Sequence, residues 1–249
     1  MMLQVERHKK IIEIISRKGS AKVDDLAMTL DVSLMTIRRD LEKLSQEGRI
    51  DRIYGGAIIK KETPYTEKKI FETEVKYKIA QVAMKYVKCD NTVYLDSGTT
   101  SYEIAKLIKD IPGISVTTND IEIARLLIDS NVDINICGGN IQKSTGSVIG
   151  QLATQTIENL RFDISFFGAM TIDDEFNVLT PTMDKAVMKR TICKNSKEKY
   201  LVIDKSKFGR EAFVKINHLS DYTAVITNKK FSIEEKKELR HMRITLIQV

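Results

Sequence analysis

An alternation along residues 92–249, without an internal sequence repeat, limits the fold more than any other feature: short apolar runs and polar or glycine-rich turns interleave with helical patterns. It opens on Thr92-Val93-Tyr94-Leu95, then Asp96-Ser97-Gly98-Thr99-Thr100, then helical spacing over 102–107. Further apolar runs at 114–118, 132–137, 164–167, 199–203, 223–226 and 244–249 alternate with helical patterns at 121–129, 151–159, 184–195 and 232–241. Runs this short and apolar suit strands buried on both faces, and the intervening helices supply the crossovers that parallel pairing needs. The pattern predicts an α/β domain with a parallel, Rossmann-like sheet.

In an open parallel sheet, ligands settle at the carboxyl ends of the strands. Five such ends carry polar or glycine turns: Asp96 to Thr100, Thr118-Asn119, Gly138-Gly139, Gly168, and Asp204 to Lys207. The turn at Ser97, Gly98, Thr99 and Thr100 offers backbone N–H groups, a helix N-terminus and three hydroxyls, which together suit phosphate or another anion. The same turn also suits an ordinary connection whose Ser and Thr only cap the helix. Lys207 adds positive charge, and Asp96 and Asn119 are candidates for sugar hydroxyls. Singly, Gly138, Gly139 and Lys207 are only a tight turn or a solvated charge. Their shared position at successive strand ends makes them, with Asp96 to Thr100 and Asn119, the expected site for a small phosphorylated polyol.

The first sixty residues follow another plan. Helical spacing over 5–16 ends at Gly19, a short helix over 22–30 follows, and Ser33 is a good N-cap for a third. The third helix is expected to bury Leu34, Ile37, Leu41 and Leu44, leaving Met35, Thr36, Arg38 and Arg39 outside. Arg49 to Ile59 reads as a hairpin turning at Gly55-Gly56. Three helices and a hairpin make a winged helix-turn-helix. Ser33, Met35, Thr36, Arg38 and Arg39 then face DNA from the reading helix, with Arg52 in the wing reaching a neighbouring phosphate or the minor groove. Arginine suits guanine edges and phosphates because its planar fork donates paired hydrogen bonds. The expected divisions are 1–59 for this domain, a Pro64-containing linker at 60–66, and 67–249 for the α/β domain, opening on a long helix over 67–87.

Val23-Asp24-Asp25-Leu26-Ala27, Val32-Ser33, Thr36-Ile37-Arg38-Arg39-Asp40-Leu41, Gly48, Arg52 and Gly55-Gly56-Ala57 resemble the DNA-binding domain of the DeoR family of bacterial regulators. The resemblance continues through Leu95 to Thr100, Thr118-Asn119, Gly138-Gly139, Phe166-Phe167-Gly168-Ala169, Lys189-Arg190 and Asp204 to Gly209. It implies a sensor domain of the pentose-phosphate isomerase and CoA-transferase fold. It also implies a repressor of a sugar or polyol operon, controlled by a phosphorylated intermediate. Met170-Thr171 and Asn177 stand where the family tends to have glycine, beside the expected pocket, so the identity of the effector does not carry over.

A net charge of +6 is compatible with an acidic partner, and residues 1–60 carry half of it, with twelve Lys or Arg against nine Asp or Glu. The N-terminus is too polar for a signal peptide and no run is apolar enough to span a membrane, so a cytoplasmic protein is expected. Cys89, Cys137 and Cys193 are far apart and read as reduced thiols, each buried as a small apolar side chain. His8, His218 and His241 are scattered, so no metal site or other cofactor is expected. There is no Gly-x-x-x-x-Gly-Lys-[Ser/Thr] or Gly-x-Gly-x-x-Gly run, which argues against nucleoside triphosphates and dinucleotides. The chain is expected to bind double-stranded operator DNA as a homo-oligomer, dimer or tetramer, and not to be an enzyme. The alternative is an isomerase-like domain tethered to DNA, with Asp96, Asp184 or Asp204 as the base an enediol mechanism needs.

Overall fold

The computed structural model describes residues 3–18, 20–46, 50–59, 65, 71–209, 212 and 214–249. The expected linker and the start of the long helix fall outside these residues, apart from Tyr65.

Helices α1 (Gln4–Lys18), α2 (Val23–Leu30) and α3 (Leu34–Gln46) pack around Ile11, Ile15, Leu26, Ile37, Leu41 and Leu44, all fully buried. Strand β1 (Ser20–Lys22) joins the hairpin of β2 (Ile50–Ile53) and β3 (Gly56–Ile59) in the order β1-β3-β2. Gly56 is required there: a Cβ would lie 2.3 Å from the Ala21 carbonyl oxygen. The buried face of α3 corrects the expected one. Leu34 is 43% exposed at the helix start, and Asp40 takes a place inside with Ile37, Leu41 and Leu44.

The second unit is a parallel sheet in the order β15-β14-β12-β9-β4-β5-β6. Its strands are β4 (Thr92–Leu95), β5 (Ser115–Thr118), β6 (Asp133–Ile136), β9 (Phe162–Phe167), β12 (Ser196–Val202), β14 (Ala224–Thr227) and β15 (Leu246–Gln248). Pleating sends Val93 and Leu95 to one face and Tyr94 to the other. On the first face they meet Ile79 and Ala83 of α4 (Thr73–Met84), Ile104 and Ile108 of α5 (Thr99–Ile108), and Ile123 and Leu127 of α6 (Ile121–Leu127). On the second, Tyr94 shares a core with Ile157 of α7 (Gln151–Glu158), Ile192 of α8 (Met183–Lys194) and Leu239 of α9 (Ile233–His241). Each large side chain buried this way contributes about 1.5–3 kcal/mol.

Two small antiparallel pieces lie outside the expected pattern. One is the hairpin of β7 (Asn140–Gln142) and β8 (Ser147–Ile149). The other joins β10 (Thr171–Ile172), β11 (Asn177–Thr180) and β13 (Val214–His218), with a register shift at Val178/Leu179. The first helix after the linker, α4, is described from Thr73, with Phe71 71% exposed ahead of it. Of the cysteines, Cys137 is buried, Cys193 partly so, and Cys89 exposed, against the expectation that all three are inside.

Candidate functional site

Two surfaces collect the candidate residues. On the first, the Ser33 hydroxyl accepts the Thr36 N–H at 3.1 Å and lies 2.9 Å from the Thr36 hydroxyl, fixing where α3 begins. Met35, Arg38 and Arg39 are exposed and Thr36 half-buried, on the side away from Ile37 and Leu41. Asp40 holds the helix from behind. Its carboxylate accepts from Arg7 at 2.5 and 3.0 Å, lies 3.1 Å from His8 Nε2, and accepts from Gln4 at 3.4 Å. Burial alone would raise this carboxyl, but the bonds from Arg7 and His8 outweigh it and hold it below the usual carboxylate value. Arg52 is not free in the wing: it donates to Glu42 at 2.9 Å, an exposed pair. Tyr54 is fully exposed at the wing tip.

The second surface is at the carboxyl ends of the sheet. From β4 the chain adds β5 and β6 on one side, then crosses back to add β9 on the other. The switch point therefore lies between β4 and β9, where a crevice opens in such sheets. Asp96 leaves β4 and Gly168 leaves β9. Asp96 is 1% exposed, pairs with Lys189 of α8, and accepts the Gly168 N–H at 2.9 Å. Lys189 also donates to the Gly168 carbonyl at 2.7 Å, so one ammonium closes both strand ends.

The turn after Asp96 is held by side chains. The Ser97 N–H donates to Asn119 Oδ1 and the Gly98 N–H to Asp120 Oδ2, both at 3.0 Å. Asn119 also accepts from the Tyr94 hydroxyl at 2.9 Å and donates to the Val148 carbonyl at 3.2 Å. Asp120 caps α6 by accepting from Glu122 and Ile123. Burial nevertheless lifts its carboxyl to about 6. The Ser147 hydroxyl of β8 donates to the Ser97 hydroxyl at 2.7 Å. Gly98 has φ +147°, a backbone region that L side chains rarely adopt. The next N–H groups, of Thr99, Thr100 and Ser101, make no hydrogen bond to a described residue.

The structure thus brings Asp96, Ser97, Gly98, Thr99, Thr100 and Asn119 together. Asn119 is 3% exposed, with its side-chain oxygen and nitrogen both engaged. Asp96 is likewise committed to Lys189 and Gly168. The free donors are one step further along than expected, because Asn119 and Asp120 take the first two N–H groups. Gly138 and Gly139 follow β6 at the sheet edge. A Cβ on Gly139 would lie 2.6 Å from the Ile149 carbonyl oxygen, so Gly139 serves the entry to the β7–β8 hairpin. Lys207 ends a 3-10 turn after β12, and its carbonyl accepts from the Thr171 hydroxyl at 3.0 Å. Asp120 and Ser147 were not singled out from sequence, and Lys189 entered only through the family resemblance, with no role at the strand ends. A cavity of about 460 Å³ lies elsewhere, beyond β12 and β14, rimmed by Lys78, Lys205 and Lys230. Among the described residues no His, Cys, Asp and Glu group is placed to hold a metal, and no helix is long and apolar enough to cross a membrane.

The chain is similar to known proteins over nearly its whole length. The family model described as "DeoR C terminal sensor domain" matches residues 72–229, and "DeoR-like helix-turn-helix domain" matches residues 7–63. The glycerol-3-phosphate regulon repressor of Escherichia coli K12 is 32% identical over 231 residues, 91% of this chain and 92% of that protein. The putative aga operon transcriptional repressor of Escherichia coli O157:H7 is 32% identical over 251 residues, 98% and 93% of the two chains. The transcriptional regulator GlpR of Haloferax volcanii is 30% identical over 250 residues, 99% and 98%. Among solved structures, ribose 5-phosphate isomerase A from Methanocaldococcus jannaschii aligns at 18% identity and a TM-score of 0.40, covering 55% of this chain and 54% of that one.

Proposed function

Because this chain belongs to the DeoR family of DNA-binding transcriptional regulators, we propose that it represses a sugar or polyol operon and is controlled by a phosphorylated sugar held in the β4–β9 crevice. The supporting observation is the turn from Ser97 to Ser101. Three N–H groups without acceptors open a helix there, beside hydroxyls and the Lys189 ammonium, at the sheet's switch point. The relatives named for glycerol 3-phosphate and an aga operon support a small phosphorylated carbohydrate as the ligand class. Lys207 contributes charge from the neighbouring turn, and Gly138 and Gly139 shape the edge. Ser33, Met35, Thr36, Arg38, Arg39 and Arg52 face DNA. Two copies place their reading helices at half-sites about 34 Å apart.

Calorimetry with a phosphate ester and its parent sugar tests the crevice. The ester should bind far more tightly, because the parent gives the N–H groups no anionic acceptor. Equal affinity would remove the phosphate site. Gly98→Val should abolish binding for two reasons. The backbone there costs a β-branched residue about 1–3 kcal/mol of strain, and the space a Cβ would enter is open, where the ligand is placed. A Gly98→Val protein that binds the ester normally would place the ligand elsewhere.

Arg38→Ala and Arg39→Ala should each weaken operator binding and leave folding intact, because both side chains are exposed. An arginine reading guanine should cost about 1–3 kcal/mol at one base pair. One that meets only phosphate should weaken all sequences alike and lower the salt slope by about one. Gel-shift titrations over a range of salt separate the two, and wild-type binding by both variants would displace the reading helix from α3.

An isomerase reading is less well supported. Asp96 is neutralised by Lys189, Asp204 is 3% exposed and accepts from Ser206, and Asp184 is exposed in the first turn of α8. The two buried carboxylates are both engaged, so incubation with pentose and hexose phosphates should give no turnover.

A further inference from the structure

Tyr65 comes from the segment joining the two domains, yet it is fastened to the sensor domain. Its N–H donates to the Ser144 carbonyl at 2.9 Å, in the turn between β7 and β8. That hairpin reaches the crevice directly, through the Thr145 hydroxyl on Ser147 at 3.0 Å and the Ser147 hydroxyl on Ser97 at 2.7 Å. The Tyr65 hydroxyl is buried and finds no hydrogen-bond partner among the described residues. Such orphaned groups are rare, because a buried hydroxyl that has left water gains nothing in return. The hydroxyl feels the charges of Asp120 and Glu122 at the start of α6 and of Tyr102 and Glu103 of α5. Asp120 is the residue that holds the Gly98 N–H.

We propose that Tyr65 is an effector ligand supplied by the interdomain segment: its hydroxyl donates to an oxygen of the bound sugar phosphate, tying crevice occupancy to the segment that carries the reading helix. This rests on the crevice being the effector site. Burial and the surrounding carboxylates raise the phenol's pKa, so it stays protonated and remains a donor. Occupied, the crevice gains a bond to the segment that the empty crevice lacks. A ligand shifts a conformational equilibrium only through such differential contacts.

The test is Tyr65→Phe, which keeps the ring and the bond to Ser144. Glycerol 3-phosphate, ribose 5-phosphate and fructose 1-phosphate are titrated calorimetrically, with Gly98→Val in parallel. Tyr65→Phe should bind the best of the three at least tenfold more weakly than wild type. A duplex selected by the wild-type protein from a random pool should bind both proteins equally without ligand, and its response to ligand should move to correspondingly higher concentration in the variant. The unliganded melting temperature discriminates further. It should be unchanged or higher in Tyr65→Phe, since the hydroxyl has no partner to lose, whereas a structural hydrogen bond would lower it. Wild-type ligand affinity in Tyr65→Phe, with binding lost in Gly98→Val, overturns the role of Tyr65. Unchanged binding in both, or no binding of any ester to the wild type, overturns the crevice reading beneath it.

Discussion

Lys189→Met is expected to lower the unfolding free energy of the sensor domain by about 3–5 kcal/mol, the usual cost of stripping one partner from a buried ion pair. Asp96 is 1% exposed, so its charge cannot turn to water when the ammonium is gone. The Gly168 carbonyl loses its donor in the same step. Urea unfolding followed by the sensor-domain transition measures the loss. Adding Asp96→Asn to the variant should recover most of it, because the amide oxygen still accepts the Gly168 N–H and no charge is left buried. A loss below about 1 kcal/mol is the behaviour of an exposed pair and would mean that water screens this one. Recovery of the fold should not restore the ligand, since the crevice cation stays missing.

Asp40→Ala should have a comparable effect on the other domain. It leaves the Arg7 guanidinium, 12% exposed, and His8 without their shared acceptor, again about 3–5 kcal/mol. It also frees α3 from α1, so DNA affinity should fall although Asp40 faces away from DNA. The pH dependence gives an independent check. The folded-state pKa of Asp40 is lowered, so its stabilisation is present above the unfolded value of about 3.9 and lost as pH falls through the folded one. The gap between wild type and Asp40→Ala should therefore be full at pH 7 and narrow below about pH 4. A gap that stays constant into acid would show that the ionised carboxylate is not what holds the helices.

The parallel sheet was legible chiefly from its central strands, such as β4, β9 and β14, which are short, mostly apolar and buried, as parallel strands covered on both faces require. The antiparallel pieces were not. β7, β8 and β10 span two or three residues each, and β11 and β13 pair across a register shift, so none offers a clean period-two pattern. Lys189 was visible as part of the family resemblance, but its role was not, because its partner Asp96 is 93 residues away. Asp40 follows two arginines in a motif that reads as surface, and only the packing of α1 thirty-three residues earlier turns it inward. Asn119 and Asp120 were visible as a polar strand end, but composition does not distinguish a residue that touches a ligand from one that holds the turn that does.

Asn119 and Asp120 grip the Ser97 and Gly98 N–H groups with their own side chains. On the proposed reading, the seat for the phosphoryl group is finished in advance, and little ordering cost is left to be met on binding. The anion's share of the affinity is then a constant, the same for a triose, pentose or hexose ester. Choice among carbohydrates then falls on the side chains around the turn rather than on the turn itself. A regulator arranged this way can change its inducer by redrawing those side chains while the handle stays untouched. It also inherits a shared competitor, because inorganic phosphate would compete with every inducer at one concentration set by the turn alone.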